Sequence, residues 1–149
     1  GEWILKTTEL LSQRGIPVCA HLGLTPQSIN RLGGYRVQGR DLDDKNRILS
    51  EAKQLEDAGA EIILLECVPA ILAEEISSFL KVPTIGIGAG SATDGQIMVC
   101  YDAIGAYSWE NQPKFVKNFM NDSNSIFEAF EKYVSEVKNL KFPSAENSF

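Results

Sequence analysis

Basic clusters, long apolar runs, paired cysteines and a second histidine are all missing from this sequence. With 14 basic and 20 acidic residues the net charge is −6, so nucleic acid and anionic membrane surfaces are poor partners. No apolar run approaches the roughly 20 residues of a membrane span, and Gly1-Glu-Trp-Ile4 lacks the layout of a signal peptide. The cysteines, Cys19, Cys67 and Cys100, are odd in number and lack CxxC spacing, which signals neither a disulfide framework nor a zinc site. Reduced thiols packed among apolar strands are expected, and with them a cytoplasmic location. His21 is the only histidine, and Ser12, Ser28 and Ser91 have no histidine partner in sequence reach, so a serine triad is unsupported. No repeat, low-complexity tract or linker divides residues 1–149, which predicts a single domain.

What is present is organised around Ala60-Glu-Ile-Ile-Leu-Leu-Glu66. Residues 62–65 are apolar on both faces, the pattern of a central parallel strand with helices on each side, and the run stops on a carboxylate. Pro69 then opens a helix with Leu72, Ile76, Phe79 and Leu80 on one stripe. Upstream, the spacing predicts a helix over 3–14 stopped by Gly15, a strand over 17–22, and a turn with Thr25 as N-cap and Pro26 as its first residue. Gly33-Gly-Tyr-Arg-Val-Gln-Gly39 is a glycine-flanked loop too specific for a plain connector. Asp43 or Asp44 can cap a helix carrying Ile48, Ala52 and Leu55, with Gly59 as its stop. Downstream, strands are expected over 82–87 and 96–101. A helix opened by Pro113 should carry Phe115, Val116 and Phe119, and a last amphipathic helix Ile126, Phe130, Tyr133, Val134 and Val137. The tail from Pro143 reads as irregular.

Strands and helices in strict alternation argue for an α/β fold with parallel strands. Four strands cannot close a (β/α)8 barrel, which takes eight strands and about 250 residues. Taken with the abrupt start at Gly1, the expectation is the second half of such a barrel plus C-terminal helices.

In strand-then-helix proteins chemistry gathers at the C-terminal tips of the strands. Glu66 stands at one tip and His21 at another, so both would converge on the mouth of one pocket. A carboxylate leaving an apolar strand loses solvation and gains proton affinity, as a general base near neutral pH requires. The plainer reading has Glu66 capping the next helix or pairing with a basic residue, and His21 structural. Gly86-Ile-Gly-Ala-Gly90 lets main chain approach something closely, but its GxGxG spacing is not the GxGxxG dinucleotide fingerprint. Anion binding or a tight strand-to-loop turn would both use it. Asp41, Asp43 and Asp44 read better as a solvated helix start than as a metal cluster.

Several blocks occur together in order: His21-Leu-Gly-Leu-Thr-Pro-Gln-Ser28, Gly33 to Gly39, Leu65-Glu-Cys-Val-Pro69, and Ile85-Gly-Ile-Gly-Ala-Gly90 with Asp94-Gly-Gln96. Pro113-Lys-Phe-Val-Lys117 and Asn147-Ser-Phe149 follow. Over essentially the whole chain they resemble the ketopantoate hydroxymethyltransferase family. The resemblance implies a (β/α)8 barrel that transfers a hydroxymethyl group from 5,10-methylenetetrahydrofolate to 3-methyl-2-oxobutanoate in pantothenate biosynthesis. It implies Mg2+ chelated by the ketoacid and stabilising an enolate, with a base that takes the C3 proton. The family's proton acceptor falls on Glu66. His21 matches the family histidine beside the bound ketoacid, which implies substrate contact or polarisation. Homo-oligomers are implied too, with the C-terminal helix as a contact surface.

Gly1-Glu2-Trp3 looks like the end of a family Lys-x-Glu-Gly-Gly-x-Trp segment, which would put the metal ligands before Gly1 and leave none in this chain. Glu2 falls after the glycines and is not one of them. Ala20 stands where glycine is usual, Tyr101 where histidine is common, and Asn147 where the tail usually has histidine. An alternative from another class is a non-catalytic half-barrel acting as a binding or assembly partner. A further magnesium-enolate barrel, of the phosphoenolpyruvate mutase or isocitrate lyase kind, is opposed by the blocks around His21 and Glu66.

Overall fold

The computed structural model describes residues 1–107 and 110–149. A 3-10 turn at Glu2–Ile4 leads into α1 (Leu5–Gln13), and Gly15 then reverses the chain with a φ of 72°. Next come β1 (Cys19–Gly23), a 3-10 turn at Pro26–Ser28, and the single-turn α2 (Ile29–Leu32). The regular centre consists of α3 (Leu42–Asp57), β2 (Ile62–Glu66), α4 (Ala70–Phe79) and β3 (Thr84–Ile87). After it lie β4 (Gly95–Gln96), α5 (Cys100–Ala103), a 3-10 turn at Phe119–Asp122, α6 (Ile126–Lys138) and a 3-10 turn at Ala145–Asn147.

The strands pair in chain order, β1-β2-β3-β4, all parallel. Gly23 registers with Glu66 and Glu66 with Ile87, so three strands end level. Ala20, Leu22, Ile63 and Leu65 point into a core shared with Ile48, Ala52 and Leu55 of α3 and Leu72, Ala73 and Ile76 of α4. Each leucine or isoleucine among them contributes about 1.5–3 kcal/mol on burial, and each alanine less. The alternate residues Cys19, His21, Ile62, Leu64, Glu66 and Ile85 face the other way, stay exposed or half-buried, and add nothing to this core. The expectation of helices on both sides of 62–65 is therefore corrected: α3 and α4 share one face, and the opposite apolar face stays partly open.

A second cluster forms beyond β4. Phe119 meets Tyr133 and Phe142 edge to face, each pair with centroids 5.4 Å apart, above Ala103 and Ala129. The Tyr133 hydroxyl donates to the Gln96 main-chain oxygen at 2.9 Å and ties α6 to β4.

Four local expectations change. Of the run 96–101 only Gln96 belongs to a strand, together with Gly95 before it, because Met98 turns into the second cluster while Ile97 and Val99 stay exposed. Pro113 opens one turn, with Val116 N–H donating to its oxygen at 3.0 Å, and no helix. Asp41, rather than Asp43 or Asp44, caps α3 by accepting from Asp44 N–H at 2.9 Å. Cys67 is core-packed as expected, but Cys19 and Cys100 are exposed.

Candidate functional site

His21 lies not at the tip of β1, as expected, but at its middle residue, in register with Leu64 and two residues short of Gly23, which is level with Glu66; the side chains of His21 and Glu66 nevertheless meet on one face of the sheet. His21 Nε2 lies 3.1 Å from Glu66 Oε2, with the side chains 26% and 14% exposed. The distance is that of an ion pair, yet the ring N–H is not aligned on the oxygen, and the buried Nε2 has no hydrogen-bond partner. The pair is therefore a close polar contact without an aligned hydrogen bond. His21 also lines a cleft of about 860 Å³ with Gly23, Thr25, Gln38, Arg31 and Arg47. Glu66 stands just behind it.

The main chain around Glu66 is fixed on three sides. Its carbonyl accepts from Leu24 N–H at 2.8 Å, immediately after β1. Cys67 N–H donates to the Ile87 oxygen at 2.9 Å, and Cys67 O accepts from Gln38 N–H at 2.9 Å. The glycine-flanked loop 33–39 thus returns to the site through Gln38. Gly23 permits the close approach: its φ is 85°, and a Cβ there would collide with the Glu66 carbonyl and come within 2.8 Å of Val68 Cγ1. Cys67 itself adopts a left-handed φ of 49°. Burial, and then the nearby Glu66 charge, push its thiol up to about 12, so it is no nucleophile near neutral pH.

Arg47 is the cation best anchored at the cleft. It pairs with Asp44 and, at 2.9 Å, with Glu51; burial pulls its guanidinium down, and these two carboxylates more than offset that. Asp44 also accepts from Gly39 N–H. Asp41 and Asp44 are therefore spent on capping and pairing. Among the described residues no group of three His, Cys, Asp or Glu is placed to hold a metal ion. The glycine turn after β3 meets the protein's own atoms, since Phe115 and Cys67 both lie against Gly88. The residues whose part in this site sequence reasoning missed are Cys67, read only as a packed thiol and with no warning of its backbone in its residue type, Phe115, read as part of a helix, and Phe149. Those two phenylalanines stood in quoted motifs but were not assigned to this end of the sheet.

A profile of the ketopantoate hydroxymethyltransferase family matches residues 1–145. A relative from Pseudomonas fluorescens (strain SBW25), named 3-methyl-2-oxobutanoate hydroxymethyltransferase, is 55% identical over 147 residues, covering 99% of this chain and 55% of its own. Proteins of the same name from Shewanella oneidensis and Marinomonas sp. are each 52% identical over 149 residues, all of this chain and 56% and 54% of theirs. The chain spans about half the length of the curated relatives it matches. At this identity, and with a profile match over nearly every residue, the chain belongs to the ketopantoate hydroxymethyltransferase family.

Proposed function

We propose that the protein transfers a hydroxymethyl group from 5,10-methylenetetrahydrofolate to 3-methyl-2-oxobutanoate, giving ketopantoate for pantothenate biosynthesis, and that Glu66 takes the C3 proton of the ketoacid. The observation that supports this reading is the His21–Glu66 pair, 3.1 Å apart on one sheet face, with Glu66 at the tip of β2 and His21 lining a cleft. A general base needs a fixed position and a proton within hydrogen-bond reach. The Leu24 and Gly23 contacts fix the Glu66 main chain, and its side chain keeps some exposure toward the open face of the sheet. His21 lines the cleft beside Glu66, where its ring can contact the ketoacid and polarise the carbonyl next to the proton that leaves.

The family implies Mg2+, which would supply Lewis-acid stabilisation when bound. The described residues do not form a set that fits it, so the chemistry assigned to this chain is the proton transfer alone. The same reading makes the half-open sheet face the interior of a (β/α)8 barrel, with these four parallel strands as part of its wall. Helices on one face and apolar side chains on the other are what such a wall requires. Homo-oligomerisation through α6 belongs to it too, since Ile126, Phe127 and Val134 remain exposed there. Among the described residues no helix is long and apolar enough to cross a membrane.

The test is ketopantoate formation from the two substrates with magnesium present, followed by mass spectrometry. Glu66→Gln should remove turnover while the protein still folds. Turnover equal to the parent's would overturn the assignment.

A further inference from the structure

Two segments singled out in the sequence, Pro113-Lys-Phe-Val-Lys117 and Asn147-Ser-Phe149, take no part in the proton transfer assigned above. The structure joins them. Asn147 Nδ2 donates to the Lys114 main-chain oxygen at 3.2 Å. Lys114 Nζ donates to the Ser148 carbonyl and lies 5.8 Å from the centre of the Phe149 ring, within cation–π range. The Phe115 and Phe149 rings meet edge to face with centroids 6.4 Å apart.

The joined pair then grips the turn after Glu66 from two sides. The Phe149 main-chain oxygen accepts from Ala70 N–H at 2.9 Å, at the first residue of α4, where Pro69 offers no side-chain cap. The Phe115 ring lies against Gly88 on the side facing Cys67: a Cβ there would be 3.0 Å from Phe115 Cγ and 3.3 Å from Cys67 Sγ. Between these two grips lies Cys67, directly after Glu66 and in a left-handed conformation that non-glycine residues rarely adopt. Such a conformation persists only where the surroundings hold it.

We propose that residues 113–117 and 147–149 form a strap that holds the Cys67 turn and thereby sets the direction of the Glu66 carboxylate. Phe115 and Phe149 are positioning residues, acting through residues 67–70, and their role in catalysis rests on the reading of Glu66 as the base. Neither ring need touch substrate.

Cys67 alkylation by iodoacetamide, read residue by residue with peptide mass spectrometry, reports the turn without requiring turnover. The parent should label Cys67 very slowly at neutral pH, because the thiol is buried and pushed up to about 12. Phe149→Ala should speed Cys67 labelling by about tenfold or more, against a ceiling on the order of a thousandfold for a freed thiol. It should leave Cys100 labelling unchanged and slow deuterium exchange at C3 of 3-methyl-2-oxobutanoate. Phe149→Tyr, which keeps the ring, should restore both. If Phe149→Ala loses far-UV circular dichroism, Lys114→Met, which removes only the Ser148 and ring contacts of Nζ, replaces it.

Parent-like Cys67 labelling in the folded variant overturns the strap. Faster labelling with unchanged exchange overturns the positioning role. Absence of Glu66-dependent exchange in the parent removes the reading on which that role rests, and the labelling rates alone then decide whether the strap exists.

Discussion

Gly23→Ala is the substitution by which the geometry of the site can be read as a stability. Gly23 and Gly15 both sit in the left-handed region, with φ of 85° and 72°. Either change to alanine carries about 1–2 kcal/mol of backbone strain, partly offset by roughly 0.4–1 kcal/mol from the stiffer unfolded chain. The two differ in space. A Cβ at Gly15 meets nothing within 4 Å, whereas at Gly23 it collides with the Glu66 carbonyl and approaches Val68 Cγ1 to 2.8 Å. Overpacking of that kind costs about 1–3 kcal/mol, and main chain cannot swing aside as a side chain can. Gly23→Ala should therefore be less stable than Gly15→Ala by about 1–3 kcal/mol, or roughly 2–12 °C in Tm at this chain length. Thermal unfolding followed by circular dichroism measures both variants under one condition. Equal Tm values would refute the close approach of β1 to the Glu66 main chain, and with it the account of how the carboxylate is placed.

Two other perturbations test separate elements. Asp41→Ala removes the side-chain cap of α3 and should cost about 1 kcal/mol in urea unfolding, whereas Asp43→Ala, which loses only a dipole contact, should cost about 0.5 kcal/mol or less. Glu56 accepts from the Lys81 and Val82 N–H groups at 2.5 and 3.1 Å and pairs with Lys53 at 2.9 Å. Burial works to raise its carboxyl, but Lys53 and the two N–H groups outweigh burial and hold it below its ordinary value. A depressed folded pKa gives stability that is present above the unfolded value of about 4.3 and lost as pH falls through the folded one. The stability difference between the parent and Glu56→Gln should therefore shrink as pH is lowered from about 6 to about 3, measured as the shift in urea midpoint. A constant difference over that range would refute it.

How much was legible in the sequence followed the range of the interactions involved. The strand ending on Glu66 was readable because a short apolar run and the carboxylate that stops it are local features, whereas β1 runs on to Gly23 and leaves His21 at its middle residue rather than at its tip. The core stripe of α4 through Leu72 and Ile76 was readable too. Where tertiary contact decides, the pattern misleads. Pro113 has the look of a helix start, but its segment is drawn to Gly88 and to the tail by the two phenylalanine rings. The apolar run after Gln96 invites a strand, yet Met98 is claimed by the cluster around Phe119. The half-open sheet face was read as a covered one, since an apolar residue looks the same in sequence whatever covers it. Asp41 was passed over as a cap because its neighbours Asp43 and Asp44 are chemically identical, and only its extended backbone, ψ 164°, singles it out.

The central claim is that Glu66 takes the C3 proton. Incubating 3-methyl-2-oxobutanoate with the protein and magnesium in D2O, without folate, and following the C3 proton by NMR isolates that step from the one-carbon transfer. With Glu66 as the base, the parent should show exchange that is lost in Glu66→Gln and reduced, not abolished, in His21→Gln. Exchange that persists at the parent rate in Glu66→Gln would contradict it.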